Sequence, residues 1–268
     1  MFVDDPADVS HAAAALADGA VIATAFGNFY VIVSRPDAAT VRRVNLAKGR
    51  PADQVGSITT AFDRIPACYD WAALDPRLDP GRLRALLAHL HGRGPFGFRG
   101  PAAPHIPHHL TQLDRGVRTT QVIAPGRACP SNALFEAAVG AGGLGLLYIT
   151  SANRSRHLTG AEEEPAHWIG TELAADFRHV PDLLLVAHRD EALARAAYPG
   201  FTTTSVTLLS FHAPGGTAAR PVLTIDRHGS LPLEEVRAVA AGYGFDIVLG
   251  ATARRRLRVR QYVGAVAS

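Results

Sequence analysis

Leu144–Thr150 reads LGLLYIT, an unbroken apolar run that stops at Ser151-Ala152-Asn153. A strand with one wet face alternates apolar and polar side chains, whereas an uninterrupted run has both faces covered. The run therefore predicts a central strand in a layered α/β fold. Ligands of open α/β sheets bind at the carboxyl ends of such strands, which puts the polar residues after Ile149 in a position to hold one. With 268 residues, 47% of them hydrophobic, the chain can bury a sizeable core.

The rest of the chain is read as a mixed α/β alternation without internal repeats. Ala7–Ala17 has a helical texture, with Gly19 as its C′ residue. Ala20–Ala25 and Phe29–Val33 are apolar strands around a hairpin at Gly27-Asn28. Asp37 caps a helix that passes Val41 and Val44 and delivers the chain to Lys48. Asp79-Pro80 opens a helix with Leu83, Leu86, Leu87 and Leu90 on one face. Gly92–Pro107 is rich in Gly and Pro and reads as loop. Beyond it come a strand at Thr119–Ile123, a helix at Asn132–Val139 and a helix at Ala161–Phe177 whose first turns carry acidic residues. Strands at Leu183–Ala187, Ser205–Phe211 and Pro221–Ile225 precede a helix at Leu233–Ala241 and a strand at Phe245–Leu249. No linker separates two folded units, so one α/β domain (residues 1–250) and a basic tail (251–268) are expected.

Several functions are disfavoured. No run of about 18 apolar residues offers a membrane span. MFVDDPADVS is acidic and lacks the basic and apolar regions of a secretory signal. Cys68 and Cys129 form neither a metal-spaced pair nor a disulfide framework, so a cytoplasmic setting is expected. His105, His108 and His109 lie in a Pro-rich loop without Cys or carboxylate neighbours and read as surface histidines. Gly140–Gly145 precedes a strand, the wrong order for a phosphate loop. The net charge of +3 is mild, and much of it sits in ARRRLRVRQYV (Ala253–Val263). Those arginines either meet RNA or another polyanion, or form a solvated, partly ordered tail.

Two short segments carry chemistry. Of 27 basic side chains, Lys48 is the only lysine. In a chain that uses arginine everywhere else, a retained lysine marks a place for a compact ammonium rather than a planar fork. Lys48-Gly49-Arg50 brings two cations together as a phosphate or carboxylate site, although such triplets also arise by chance. Thr150-Ser151-Ala152-Asn153 comes directly after the buried strand, with hydroxyls and an amide suited either to a polar ligand or to local turn bonds.

AKGRPADQ succeeded about a hundred residues later by TSAN resembles the YrdC-like family, the threonylcarbamoyl-adenylate synthases. The resemblance covers nearly the whole chain. ALADGAVIATAFGNFY (Ala15–Tyr30) resembles the family's opening helix, Gly and strand. Thr119–Ala133 resembles its V-R-V-P segment, Thr203–Thr207 its P-S-T-V-V strand, and Arg227-His228-Gly229 its late R-x-G. The resemblance implies a large twisted mixed sheet with helices around a concave, positively charged cavity. It implies binding of ATP, with Mg2+ carried by the nucleotide and no metal ligand from the protein. It also implies bicarbonate and L-threonine as substrates, L-threonylcarbamoyl-AMP and pyrophosphate as products, and a transferase partner that modifies tRNA. On matching positions, Lys48 and Arg50 would be catalytic and hold the triphosphate. Thr150, Ser151, Asn153, Ser205 and Arg227 would bind the ATP phosphates, and Thr24 would face the amino acid.

This chain departs from the pattern mainly on the substrate side. Ala23 replaces the Pro before Thr24, and Phe26 replaces the second Thr. Ile123 stands where the family has the Arg of V-R-V-P. G-P-L-T is reduced to Gly100-Pro101-Ala102-Ala103, and an apolar stretch with a His becomes Gly56-Ser57-Ile58-Thr59. These departures leave three expectations: a threonylcarbamoyl-adenylate synthase, a related enzyme with a changed acceptor that makes a carbamoyl adenylate in specialised metabolism, or a non-catalytic RNA- or nucleotide-binding relative.

Overall fold

A computed structural model of the chain describes residues 1–141, 143–155 and 164–262. Its centre is a mixed sheet of 11 strands among the described residues. The chain opens with helix α1 (Pro6–Ala17), started by Asp5, whose carboxylate accepts from the Ala7 and Asp8 amides. The hairpin β1 (Val21–Phe26) and β2 (Phe29–Ser34) comes next, every strand residue of it buried. It turns at Gly27, whose φ of +63° suits a residue without a Cβ. Asp37 caps α2 (Ala38–Ala47) by accepting from the Thr40 amide. A short strand β3 (Ser57–Thr59) then leads to α3 (Pro80–Arg93). Helix α3 is capped by Asp79 and buries Leu83, Leu86, Leu87 and Leu90, the four residues its spacing predicts.

Strand β4 (Phe96–Pro101) corrects the sequence reading, which placed a loop there. It lies inside the sheet, antiparallel to β6 (Val117–Ala124) and parallel to β9 (Thr207–Gly216). Its glycines serve packing rather than turns. A Cβ on Gly97 would come within 3.1 Å of Leu208, and one on Gly100 would run into the Phe211 ring. Between and beyond these strands lie β5 (Gln112–Asp114), α4 (Ser131–Ala141), β7 (Leu147–Ser151), β8 (Leu183–Val186), β10 (Pro221–Arg227), α7 (Leu233–Ala241) and β11 (Asp246–Leu249). The sheet order is β11-β10-β9-β4-β6-β3-β7-β2-β1-β8, with β5 attached to β6. Strand β7 is thus central, as its apolar run requires, and Leu147, Tyr148 and Ile149 are fully buried.

The expected helix at Ala161–Phe177 is shorter. Its first three residues lie outside the described ones, and the helix is α5 (Gly170–Asp176). The chain before it runs extended, because its backbone bonds go elsewhere. The Tyr30 amide donates to the His167 carbonyl, the His167 amide to Ala152, and the Ala166 amide to Thr204. A further short helix, α6 (Glu191–Ala196), carries no signal noted in the sequence. Helix α1 packs with α4, and α3 with α7. No helix among the described residues is long and apolar enough to cross a membrane.

Candidate functional site

Helix α2 ends in a Schellman motif. Lys48 is the C-cap, and Gly49 after it has φ +73°. The Gly49 amide donates to Leu46 and the Arg50 amide to Asn45, at 2.9 Å each. This is the pair of bonds that closes a helix on a left-handed glycine. The glycine in Lys-Gly-Arg is therefore a helix stop, and it aims the two flanking cations in different directions. Asn45 anchors the chain beyond the helix. Its amide donates to the carbonyls of Ala52 and Gln54, and its oxygen accepts from the Tyr148 hydroxyl of β7 at 2.9 Å.

Arg50 reaches β7, where its Nη1 donates to Thr150 Oγ1 at 2.7 Å. Lys48 takes another course. It is only 1% exposed, and its ammonium donates to the Ser151 carbonyl and to Asn153 Oδ1. Asn153 Oδ1 also accepts from the Ser151 hydroxyl, and its amide donates to the Glu164 carbonyl at 2.8 Å. The Ser155 amide donates back to the Lys48 carbonyl at 2.7 Å. The lone lysine thus braces the turn after β7 from behind. A compact ammonium suits this place because it must reach two acceptors inside the protein.

Above this turn lies a cavity of about 620 Å³. Arg50, Thr150, Ser151, Asn153, Ser205 and Arg227 line it, so six of the eight residues singled out from the sequence meet there. Arg227, at the end of β10, donates to Ser205 Oγ at 3.1 Å. One arginine–hydroxyl pair sits at β7 and the other beside β9, with β3, β6 and β4 between them. Phe29, Val31, Ile123 and Ile149 supply apolar floor. Lys48 stands behind the wall and does not line this cavity. Thr24 does not line it either. It is fully buried in β1 opposite Val31, and its hydroxyl reaches the Ala25 carbonyl at 3.4 Å. Ala23 and Phe26 are likewise fully buried.

Sequence reasoning missed Gln54, Gln121, Glu164 and Leu257, which also line the cavity. Leu257 belongs to the C-terminal segment, and the described part of that segment is not a solvated tail. The Leu257 amide donates to the His228 carbonyl, and Arg256 donates to Gly229 and Ser230. Arg260 pairs with Glu164 at 2.9 Å and Asp176 at 3.4 Å. The Tyr262 hydroxyl accepts from the Trp168 amide and meets His167 Nδ1 at 3.1 Å. Burial lowers the His167 pKa, against the opposing pull of Asp176. The segment therefore ties the loop after β10 to the loop before α5. Its arginines, which alternate with Leu257 and Val259 before Gln261-Tyr262, held the available signal.

No protein-family model matches the sequence, and no curated protein matches it. Solved structures do match. P. abyssi Sua5, determined with L-threonine, superimposes with a TM-score of 0.63 at 21% identity over 96% of this chain. E. coli YciO gives 0.54 at 17% identity, over 78% of this chain and 86% of its own. The fold is YrdC-like. Full-length HypF in a phosphate- and nucleotide-bound form matches 82% of the YrdC-like chain, with a TM-score of 0.52 and 17% identity over 28% of its own length. The chain spans 65% of the Sua5 chain, under two thirds of its length.

Proposed function

We propose that this protein uses ATP to make a carbamoyl-type adenylate, with L-threonine as the default amino acid. The observation that carries the reading is the convergence of Arg50–Thr150, Ser151, Asn153 and Arg227–Ser205 on one cavity of about 620 Å³ in a YrdC-like fold. Support comes from the L-threonine complex of Sua5 and the nucleotide-bound form of HypF. In the proposed reaction, the amino-acid amine combines with bicarbonate to give a carbamate and water. A carbamate oxygen then attacks the α-phosphorus, and the bond to the departing pyrophosphate breaks. Arg50 and Arg227 hold phosphate oxygens and offset the charge that builds up as pyrophosphate leaves. The Thr150 hydroxyl, which accepts from Arg50, donates its own proton to an oxygen of the same group, while the Ser151 hydroxyl holds Asn153. Lys48 holds the Ser151–Asn153 turn in place and adds positive charge behind it. Mg2+ is assigned to the nucleotide's own phosphates. The product would pass to a transferase that modifies tRNA.

A second reading, a changed acceptor in specialised metabolism, is favoured by the burial of Thr24, Ala23 and Phe26 and by apolar Ile123 on the cavity wall. Both readings are tested by incubating the protein with ATP, Mg2+, bicarbonate and a panel of amino acids, and weighing the products. Pyrophosphate together with a carbamoyl adenylate is expected. Nucleotide binding without any turnover would leave a non-catalytic nucleotide-binding protein instead.

A further inference from the structure

Strand register sets one wall of the cavity. Ile149 pairs with Ser57, and Ile58 with Val122, which puts Ser57 beside Gln121. Gln121 pairs with Arg99, and Arg99 with Ser210. Residues paired across a sheet share a face. Ile149, Ser57 and Gln121 line the cavity, and Arg99 stands one strand further on. The Gln121 amide lies between Ser57 Oγ, at 3.1 Å, and the Arg99 guanidinium, whose Nε is at 3.3 Å. A guanidinium carries only donors, so the Gln121 carbonyl faces Arg99 and its amino group faces Ser57.

Arg99 is itself held. Its Nη1 lies 2.9 Å from Asp226 and 3.7 Å from Asp114, and His212 Nε2 is 3.1 Å from the same Asp114 oxygen. Gln121 spends one amide hydrogen on Ser57 and keeps the other. Ser57 Oγ, having accepted from Gln121, keeps its proton and a lone pair. The layer behind them sets one guanidinium against two carboxylates, so it offers an anion no net positive charge. The cavity's cations, Arg50 and Arg227, lie with Thr150 and Ser205. Such a pair matches an uncharged group that both accepts and donates.

We propose that Gln121 and Ser57 determine acceptor specificity by reading an uncharged hydroxyl or primary amide on the acceptor substrate. Arg99 is the positioning residue that fixes the Gln121 amide. This rests on the reading that the cavity holds an acceptor beside a nucleotide, and the experiment separates the two. Calorimetric titrations use two matched pairs, L-threonine against L-valine and L-asparagine against L-aspartate, with and without a non-hydrolysable ATP analogue. The wild-type protein is expected to favour the uncharged polar member of at least one pair by tenfold or more. Gln121→Leu should reduce that preference to less than threefold. Arg99→Lys should weaken it while an unchanged melting temperature shows the sheet intact. If Gln121→Leu does not fold, Ser57→Ala removes a single hydroxyl and carries the same expectation. Discrimination without binding of the analogue would sink the nucleotide reading and leave this assignment standing. Binding of the analogue with no discrimination, or a preference untouched by the variants, would overturn the assignment alone. Absence of binding by every ligand would overturn both.

Discussion

Replacing Lys48 by methionine keeps most of the stem and removes the ammonium. At 1% exposure no solvent can take the ammonium's place, so the Ser151 carbonyl and Asn153 Oδ1 both lose a donor. A hydrogen bond to a charged group contributes about 1.5–3 kcal/mol. The Ser151 hydroxyl still reaches Asn153, so the two losses do not simply add. A net cost of about 3 kcal/mol is expected, which for a chain of this size lowers the melting temperature by roughly 6–12 °C. Lys48→Arg keeps the charge but forces a larger planar group into a closed site, at a cost of about 1–3 kcal/mol. Both variants should melt early without any ligand. Amide exchange at residues 151–155 should accelerate more than exchange in α3. If Lys48→Met melts within about 1 °C of the wild type, with unchanged exchange in that turn, the bracing role is refuted.

Other perturbations test other parts of the molecule. Gly100→Ala puts a methyl group into the Phe211 ring and should cost about 1–3 kcal/mol in urea unfolding; an unchanged midpoint would mean that β4 is not packed as described. Burial lowers the His91 pKa to about 3, so the unfolded chain binds a proton there that the native protein refuses. Stability from this residue is complete above the usual histidine range and falls as pH drops from about 6.5 toward 3, by at most about 1.4 kcal/mol per pH unit. The loss of stability between pH 7 and pH 5 should therefore be about 2 kcal/mol smaller in His91→Leu than in wild type, by urea unfolding at both pH values. Tyr262→Phe removes the acceptor of the Trp168 amide and should expose the C-terminal segment to limited proteolysis; wild-type resistance would contradict its anchoring.

Elements built from local signals were legible. Asp79-Pro80 and the leucine spacing gave α3 at its observed start and with its observed buried face, and Gly27-Asn28 gave the β1–β2 hairpin. Strand β4 was not legible, because Gly97 and Gly100 read as turn residues until the facing Leu208 and Phe211 are known. The site divides in the same way. Lys-Gly-Arg and Thr-Ser-Ala-Asn each stand out as a contiguous cluster, and most of their side chains do meet. The role of Lys48 was hidden, since sequence shows that an ammonium is present but not which acceptors surround it. Gln121 and Arg99 gave no signal, and Ser57 stood out only as part of a departure from the family pattern. They lie on three strands, and only the sheet register makes them neighbours.

The distance along the chain between the groups that build the cavity has a kinetic consequence. Arg50 bonds to a threonine 100 residues away, and Lys48 to an asparagine 105 residues away. Closure of such long loops comes before any contact rewards it, and chains dominated by distant pairings fold slowly. No early hairpin or isolated helix pair can contain a working pocket, because the seven neighbouring strands from β10 through β9, β4, β6, β3 and β7 to β2 must all be in register first. Ligand capture by a refolding chain would then report completion of the sheet from β10 to β2, and it should appear in the same kinetic phase as protection of the Ile149 amide.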